Sequence, residues 1–166
     1  MLTGTQDPRA IRDTFARFPS GVAALAAVVD GDPTILVASS FTVGVSQDPP
    51  LVLFAVQRSS TTWPALATAP SIGVSVLGEQ HAEKVRQLAC RDKTRRFDGV
   101  RTRVERSGAL FLEGAPVALE CTTQDVYPAG DHDIVVLRVR GVETDAGQDA
   151  LVWYRSRIMT LPGEVA

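Results

Sequence analysis

The chain lacks most of the signatures that mark a common enzyme class. Cys90 and Cys121 are its only cysteines, too few for a disulfide framework. With only His81 and His132 beside them they also make a poor metal set, so no metal site is expected. Both thiols read as reduced, buried packing residues. No G-x-G-x-x-G follows a strand-like run and no G-x-x-x-x-G-K-[ST] occurs, which argues against a Rossmann nicotinamide site and a P-loop. A G-x-S-x-G elbow is missing too. The formal net charge of −2 gives no global attraction to nucleic acid or to an anionic membrane. No apolar run approaches the roughly 20 residues of a membrane helix, and MLTGTQDPRA has no hydrophobic signal core. These absences lead to the expectation of a cytoplasmic protein with no membrane or nucleic-acid partner.

What is present is an ordinary globular composition, with 45% hydrophobic and 22% charged residues in 166. One domain over residues 1–166 is expected, with 1–7 as a flexible N-terminal extension. Asp7-Pro8 reads as the cap and first residue of a helix whose Ile11, Phe15 and Phe18 share a face, stopped by Pro19-Ser20-Gly21. Gly21–Val29 and Thr34–Ser39 read as strands joined by a turn at Asp30–Pro33. Leu51–Val56 is apolar throughout and predicts a strand buried on both faces. Ser71–Leu77 alternates and predicts a half-buried strand, and Glu79–Cys90 a helix with His81 on its surface. Two longer strands, near Val117–Tyr127 and Asp133–Glu143, form a hairpin. Strands outnumber helices and many neighbours are hairpin-linked, favouring a mainly β, antiparallel architecture.

The most informative stretch runs from Val37 to Pro64, VASSFTVGVSQDPPLVLFAVQRSSTTWP. Ser39, Ser40 and Thr42 flank Phe41; Asp48-Pro49-Pro50 forces an extended turn; Arg58 and the hydroxyls of Ser59–Thr62 precede a short helix containing Pro64. Hydroxyls, amides and a cation carried on apolar strands suit an elongated ligand with one flat end and one anionic end. Each hydroxyl also has a plain structural alternative, since Ser and Thr beside strands commonly satisfy local backbone groups.

Six ordered pieces carry a resemblance: FPSGVAAL at Phe18–Leu25, ASSFT at Ala38–Thr42, DPPLVLFAV at Asp48–Val56, SSTTWP at Ser59–Pro64, FDGV at Phe97–Val100 and PAGDHDIVVLRV at Pro128–Val139. Together they resemble the flavin reductase-like family. The resemblance implies an antiparallel Greek-key split β-barrel of the FMN-binding type. It implies an NAD(P)H-dependent reductase, homodimeric, that passes hydride from NADH or NADPH to FMN or FAD and supplies reduced flavin to a partner monooxygenase. In that reading Ala38, Ser39, Ser40 and Phe41 line the flavin ring and ribityl chain, with Val37 where the family often has Thr. Ser46, Gln47 and Asp48 close the far side of the ring. Ser59, Ser60 and Thr61 reach the ribityl or phosphate end, while Arg96-Phe97 and Lys93 lie at the phosphate. His132, at a Gly-Asp-His hairpin tip, positions the nicotinamide, and a neutral imidazole suits that role.

The chain departs from the family pattern in two further places. The stretch between Thr42 and Pro49 is one residue longer, which predicts a bulge or altered loop. Leu137 stands where the family often has Gly. A non-catalytic flavin binder for storage or sensing is the competing reading, and an oxidase that keeps its flavin is a third.

Overall fold

The computed structural model describes residues 7–161. Residues 1–6 of the expected N-terminal extension lie outside the described residues. Asp7 belongs to the first helix: its carboxylate accepts from Arg9 N–H at 2.8 Å and caps α1, Pro8–Phe15. The helix is one turn shorter than Phe18, and its apolar side is uncovered, with Phe15 and Phe18 more than 70% exposed.

The strands are β1 (Ser20–Gly21), β2 (Ala23–Val29), β3 (Asp32–Ala38), β4 (Thr42–Gln47), β5 (Pro50–Gln57), β6 (Ile72–Val76), β7 (Thr102–Val104), β8 (Leu110–Leu112), β9 (Val117–Ala129), β10 (His132–Thr144), β11 (Leu151–Tyr154) and β12 (Arg157–Thr160). Two short helices, α2 (Trp63–Leu66) and α3 (Val85–Leu88), complete the regular elements with 3₁₀ turns at Glu79–His81 and Lys93–Arg95. All pairings are antiparallel. The main sheet has seven strands in the order β3-β2-β6-β9-β10-β5-β4.

The mainly β, antiparallel expectation holds, but the barrel is corrected: the seven-stranded sheet is open, ending in β3 on one edge and β4 on the other. Only Ser39–Phe41 separates these two edge strands in sequence, a link that spans at most about 14 Å, so the sheet must curl. No ladder crosses the gap, and side chains take single positions beside it. The Ser40 hydroxyl takes both polar groups of Ala55 on β5, and a guanidinium takes a carbonyl on β3.

Curling creates two cores. Inside the curve lie Leu25, Phe54, Val56, Ile72, Val74, Val135 and Leu137. On the outer side of β2 and β3, Ala24, Ala26, Ile35, Leu77, Leu88, Leu110 and Leu151 form the second. β2 is buried from Ala23 to Ala27 because it has a core on each face, which its small side chains permit. β6 was expected half-buried and is buried on both faces too. β8 crosses over it, so a Cβ on Gly73 would lie 2.2 Å from the Leu110 carbonyl oxygen, and the Ser75 hydroxyl accepts from Leu112 N–H at 3.0 Å. β5 shows the converse. Val52, Phe54 and Val56 are buried, while Leu51, Leu53 and Ala55 stay half-buried because no element among the described residues layers over that side.

The expected helix over Glu79–Cys90 is broken into the 3₁₀ turn and α3, and His81 is inside, only 5% exposed. Its Nδ1 accepts from Gly78 N–H at 3.0 Å and its Nε2 donates to the Glu113 carbonyl at 3.1 Å, which fixes the neutral ring between two segments. Burial holds it below its usual 6.5, opposed by the Glu113 carbonyl. The β9–β10 hairpin turns on Gly130 (φ 64°) and Asp131 alone, so each strand runs to 13 residues.

Gly73→Ala should lower the urea midpoint with unchanged m, at a cost of about 1–3 kcal/mol or more, because backbone rather than a flexible side chain must give way. His81 contributes a pH dependence of definite sign. The unfolded chain takes up its proton near 6.5 and the folded chain only lower, so stability should decline as pH falls below about 6.5, by up to about 1.4 kcal/mol per pH unit. The loss stops once the folded ring also protonates. Urea midpoints between pH 7 and 5 should show it, with a shallower slope in His81→Gln.

Candidate functional site

The gap between β3 and β5 is a cleft of about 520 Å³, within the range of small-molecule sites. Leu36, Val37 and Ala38 form one wall, and Ala55, Val56 and Gln57 the other. Ser39 and Ser40 close one side, while Ser60–Thr62, Leu88, Ala89, Arg96 and His132 complete the lining.

The β3 wall is a free strand edge. Arg96 Nη1 donates to the Ile35 carbonyl at 2.7 Å, so the peptide groups of Ile35 point away from β2. Strand alternation then turns the N–H and C=O of Val37 the same way, along the cleft. The Val37 side chain packs on the second core, so its contribution here is main chain.

Ser40 is committed to structure. Its hydroxyl accepts from Ala55 N–H at 3.0 Å and donates to the Ala55 carbonyl at 2.9 Å, standing in for a missing strand partner. The Ser39 hydroxyl has no hydrogen bond to the protein among the described residues, and it lines the cleft. On the opposite rim Ser60 Oγ accepts from Thr62 N–H at 3.3 Å and Trp63 N–H at 3.1 Å, which opens α2. Trp63 then packs edge-on against Phe54, ring centres 5.3 Å apart, and fixes that rim to the core.

Arg96 is 9% exposed. Its Nε donates to the Cys90 carbonyl at 2.8 Å, and its Nη1 to the Ile35 carbonyl and to Thr62 Oγ1 at 3.0 Å. All three acceptors are neutral, and no carboxylate pairs with it among the described residues. A buried cation without a counter-charge is unfavourable until an anion joins it.

His132 stands opposite Gln57 in the β10–β5 register, its side chain 35% exposed. Its Nδ1 lies 2.7 Å from Asp131 Oδ1. That hydrogen bond first, and the imidazole's charge second, hold the Asp131 carboxyl below its ordinary range. A carboxylate acceptor requires the proton on Nδ1 and leaves Nε2 for another partner.

Of the residues singled out from the sequence, Val37, Ala38, Ser39, Ser40, Ser60, Thr61, Arg96 and His132 meet in this cleft. Phe41 packs on the inner core instead, and Phe97 on the second. Lys93 reaches Thr61, donating to its carbonyl at 2.6 Å, without lining the cleft. Ser59 bonds weakly to Gln57 Oε1 at 3.5 Å. Ser46 and Gln47 end β4, Asp48 begins the turn to β5, and none of the three lines the cleft. The β4–β5 register is irregular between Thr42 and Ser46, where Gly44 takes φ 73°. Leu137 is fully buried at a register shift of β10. Sequence reading missed Leu36, Gln57, Thr62 and the Leu88-Ala89 corner; only the cap position of Thr62 carried a local signal.

The open antiparallel sheet thus carries at its curled edge a hydroxyl-lined cleft beside a cation that no carboxylate pairs among the described residues. The flavin reductase like domain matches residues 15–162, and the chain belongs to the flavin reductase-like family. It is 35% identical to a flavin reductase of Pseudomonas putida over 150 residues, 90% of this chain and 87% of that protein. It is 28% identical to the reductase subunit HsaB of a flavin-dependent monooxygenase from Rhodococcus jostii, over 91% of this chain and 76% of that one. The NADH:FAD oxidoreductase SgcE6 of Streptomyces globisporus, solved with NAD and FAD fragments, superimposes with a TM-score of 0.91 at 29% identity, covering 100% of this chain and 99% of that one.

Ser40→Ala should cost about 0.5–1.5 kcal/mol, the net worth of its bonds to Ala55, whose peptide groups can turn to water at this exposed position. Ser39→Ala should leave the urea midpoint within about 0.5 kcal/mol of wild type.

Proposed function

We infer that this chain is an NAD(P)H-dependent flavin reductase supplying reduced FMN or FAD to a partner monooxygenase, and we propose that the flavin is held in the β3–β5 cleft. The observation that carries the placement is the buried Arg96 cation, unpaired by any carboxylate among the described residues, at the wall of a cavity of suitable size. The lining fits the group. Leu36, Ala38, Ala55 and Val56 offer apolar surface to a flat ring, and the Val37 peptide, Ser39 and Gln57 offer polar partners for its edge. Arg96 and Thr61 suit its anionic end.

When bound, the flavin accepts hydride from the nicotinamide and stores the charge in its own ring. The chain therefore has to bind and orient rather than to move protons. No Asp or Glu among the described residues lines the cleft, in keeping with that division of labour. His132 Nε2 is proposed to hold the nicotinamide, with Asp131 fixing the ring through Nδ1.

A homodimer is proposed on the uncovered face of β5, β10 and β9. Ala55, Ile134 and Tyr127 are opposite one another across these strands and therefore share that face. Val43 and Val45 on the neighbouring β4 are also exposed. No helix among the described residues is long and apolar enough to cross a membrane. A cytoplasmic setting is proposed, in keeping with two unpaired cysteines.

Nicotinamide oxidation followed by absorbance should require added FMN or FAD. Bound flavin with no oxidation of NADH or NADPH would point to storage or sensing instead. His132→Ala should raise the KM for nicotinamide about tenfold, the worth of one good hydrogen bond, with little change in flavin affinity.

A further inference from the structure

Arg96 has the position expected of a phosphate ligand, yet most of its hydrogen-bonding capacity is spent on the protein. Nε is engaged by Cys90 at the end of the α3 segment, and Nη1 by both Ile35 on β3 and Thr62 before α2. Only Nη2 is left without an acceptor among the described residues. The three segments it joins are far apart in sequence and do not form a common sheet. Two of them line the cleft, the free β3 edge and the rim that begins α2, and they meet side by side on the one Nη1.

The acceptors are all well within hydrogen-bond range, between 2.7 and 3.0 Å, and two of the three bonds end on main-chain carbonyls. Thr62 is 5% exposed, so its hydroxyl has little recourse to water if the guanidinium is removed. A lysine at this position would retain the charge but could not reproduce the planar fork that reaches the three acceptors.

We propose that Arg96 is a positioning residue for the whole flavin. By fixing the β3 edge against the Thr62 rim it sets the shape of the cleft lining, and so governs affinity for the ring and ribityl portion as well as for the phosphate. This rests on the cleft being the flavin site.

The test compares riboflavin, which has no phosphate, with FMN. Wild type, Arg96→Lys, Thr62→Val and Thr62→Ser are titrated with each flavin by fluorescence, and steady-state constants are measured with each as acceptor. Arg96→Lys is expected to weaken riboflavin about tenfold and FMN by at least as much. Thr62→Val, which leaves the cation in place, is expected to weaken both flavins by one common factor, and Thr62→Ser to restore them. The loss should appear in KM for flavin, with kcat at saturation falling less than KM rises. Thermal melts identify a variant that fails to fold; should Arg96→Lys do so, the Thr62 pair decides. Riboflavin affinity unchanged in both Arg96→Lys and Thr62→Val, with FMN weakened, would overturn the proposal and leave Arg96 a phosphate ligand alone. Wild type that binds neither flavin would instead remove the reading of the cleft, before any variant is compared.

Discussion

The site depends on one buried guanidinium. Arg96 has carbonyl and hydroxyl oxygens around it and no carboxylate partner among the described residues. Its hydrogen bonds fix the β3 edge to the Cys90 and Thr62 segments, and its charge makes the adjoining space attractive to an anion. The fold and the function meet there. An edge strand left unpaired is ordinarily a liability, and here its free peptide groups become part of the cleft wall.

Side chains also stand where the sheet does not close. Ser39–Phe41 brings the first and last edge strands of a seven-stranded sheet within reach of each other. β5 runs past the end of its pairing with β4 at Leu53, and there Ser40 caps Ala55, while Arg96 takes the Ile35 carbonyl on β3, so side chains rather than a ladder occupy these positions. Curvature without closure leaves a slot open to a ligand from outside, with the inner core intact behind it.

Much of this was legible in the sequence, because the informative features are local. Strand runs, the Asp7-Pro8 cap and the Ser-rich approach to α2 can be read residue by residue. The grouping of Ser39, Ser60, Arg96 and His132 followed from the family resemblance. What was not legible is non-local. Nothing near Ser71–Leu77 signals that β8 will lie across it, and no local pattern pairs His81 with the Glu113 carbonyl. The helical spacing of Glu79–Cys90 was overridden by that tertiary contact. Ser46–Asp48 were assigned to the ring by resemblance, and their place at the end of β4 and the start of its turn leaves them out of the cleft lining. The open edge depends on side chains from remote segments and has no sequence signature.

The central claim is that flavin lies against the free edge of β3. The most direct measurement is amide hydrogen exchange of the full chain with and without FMN, read at residue resolution. The account expects slowed exchange at Val37 and Ser39, whose amides flank the cleft, with little change at Ser46–Asp48. Protection confined to the β4–β5 turn, with Val37 and Ser39 exchanging as in the free protein, would contradict it.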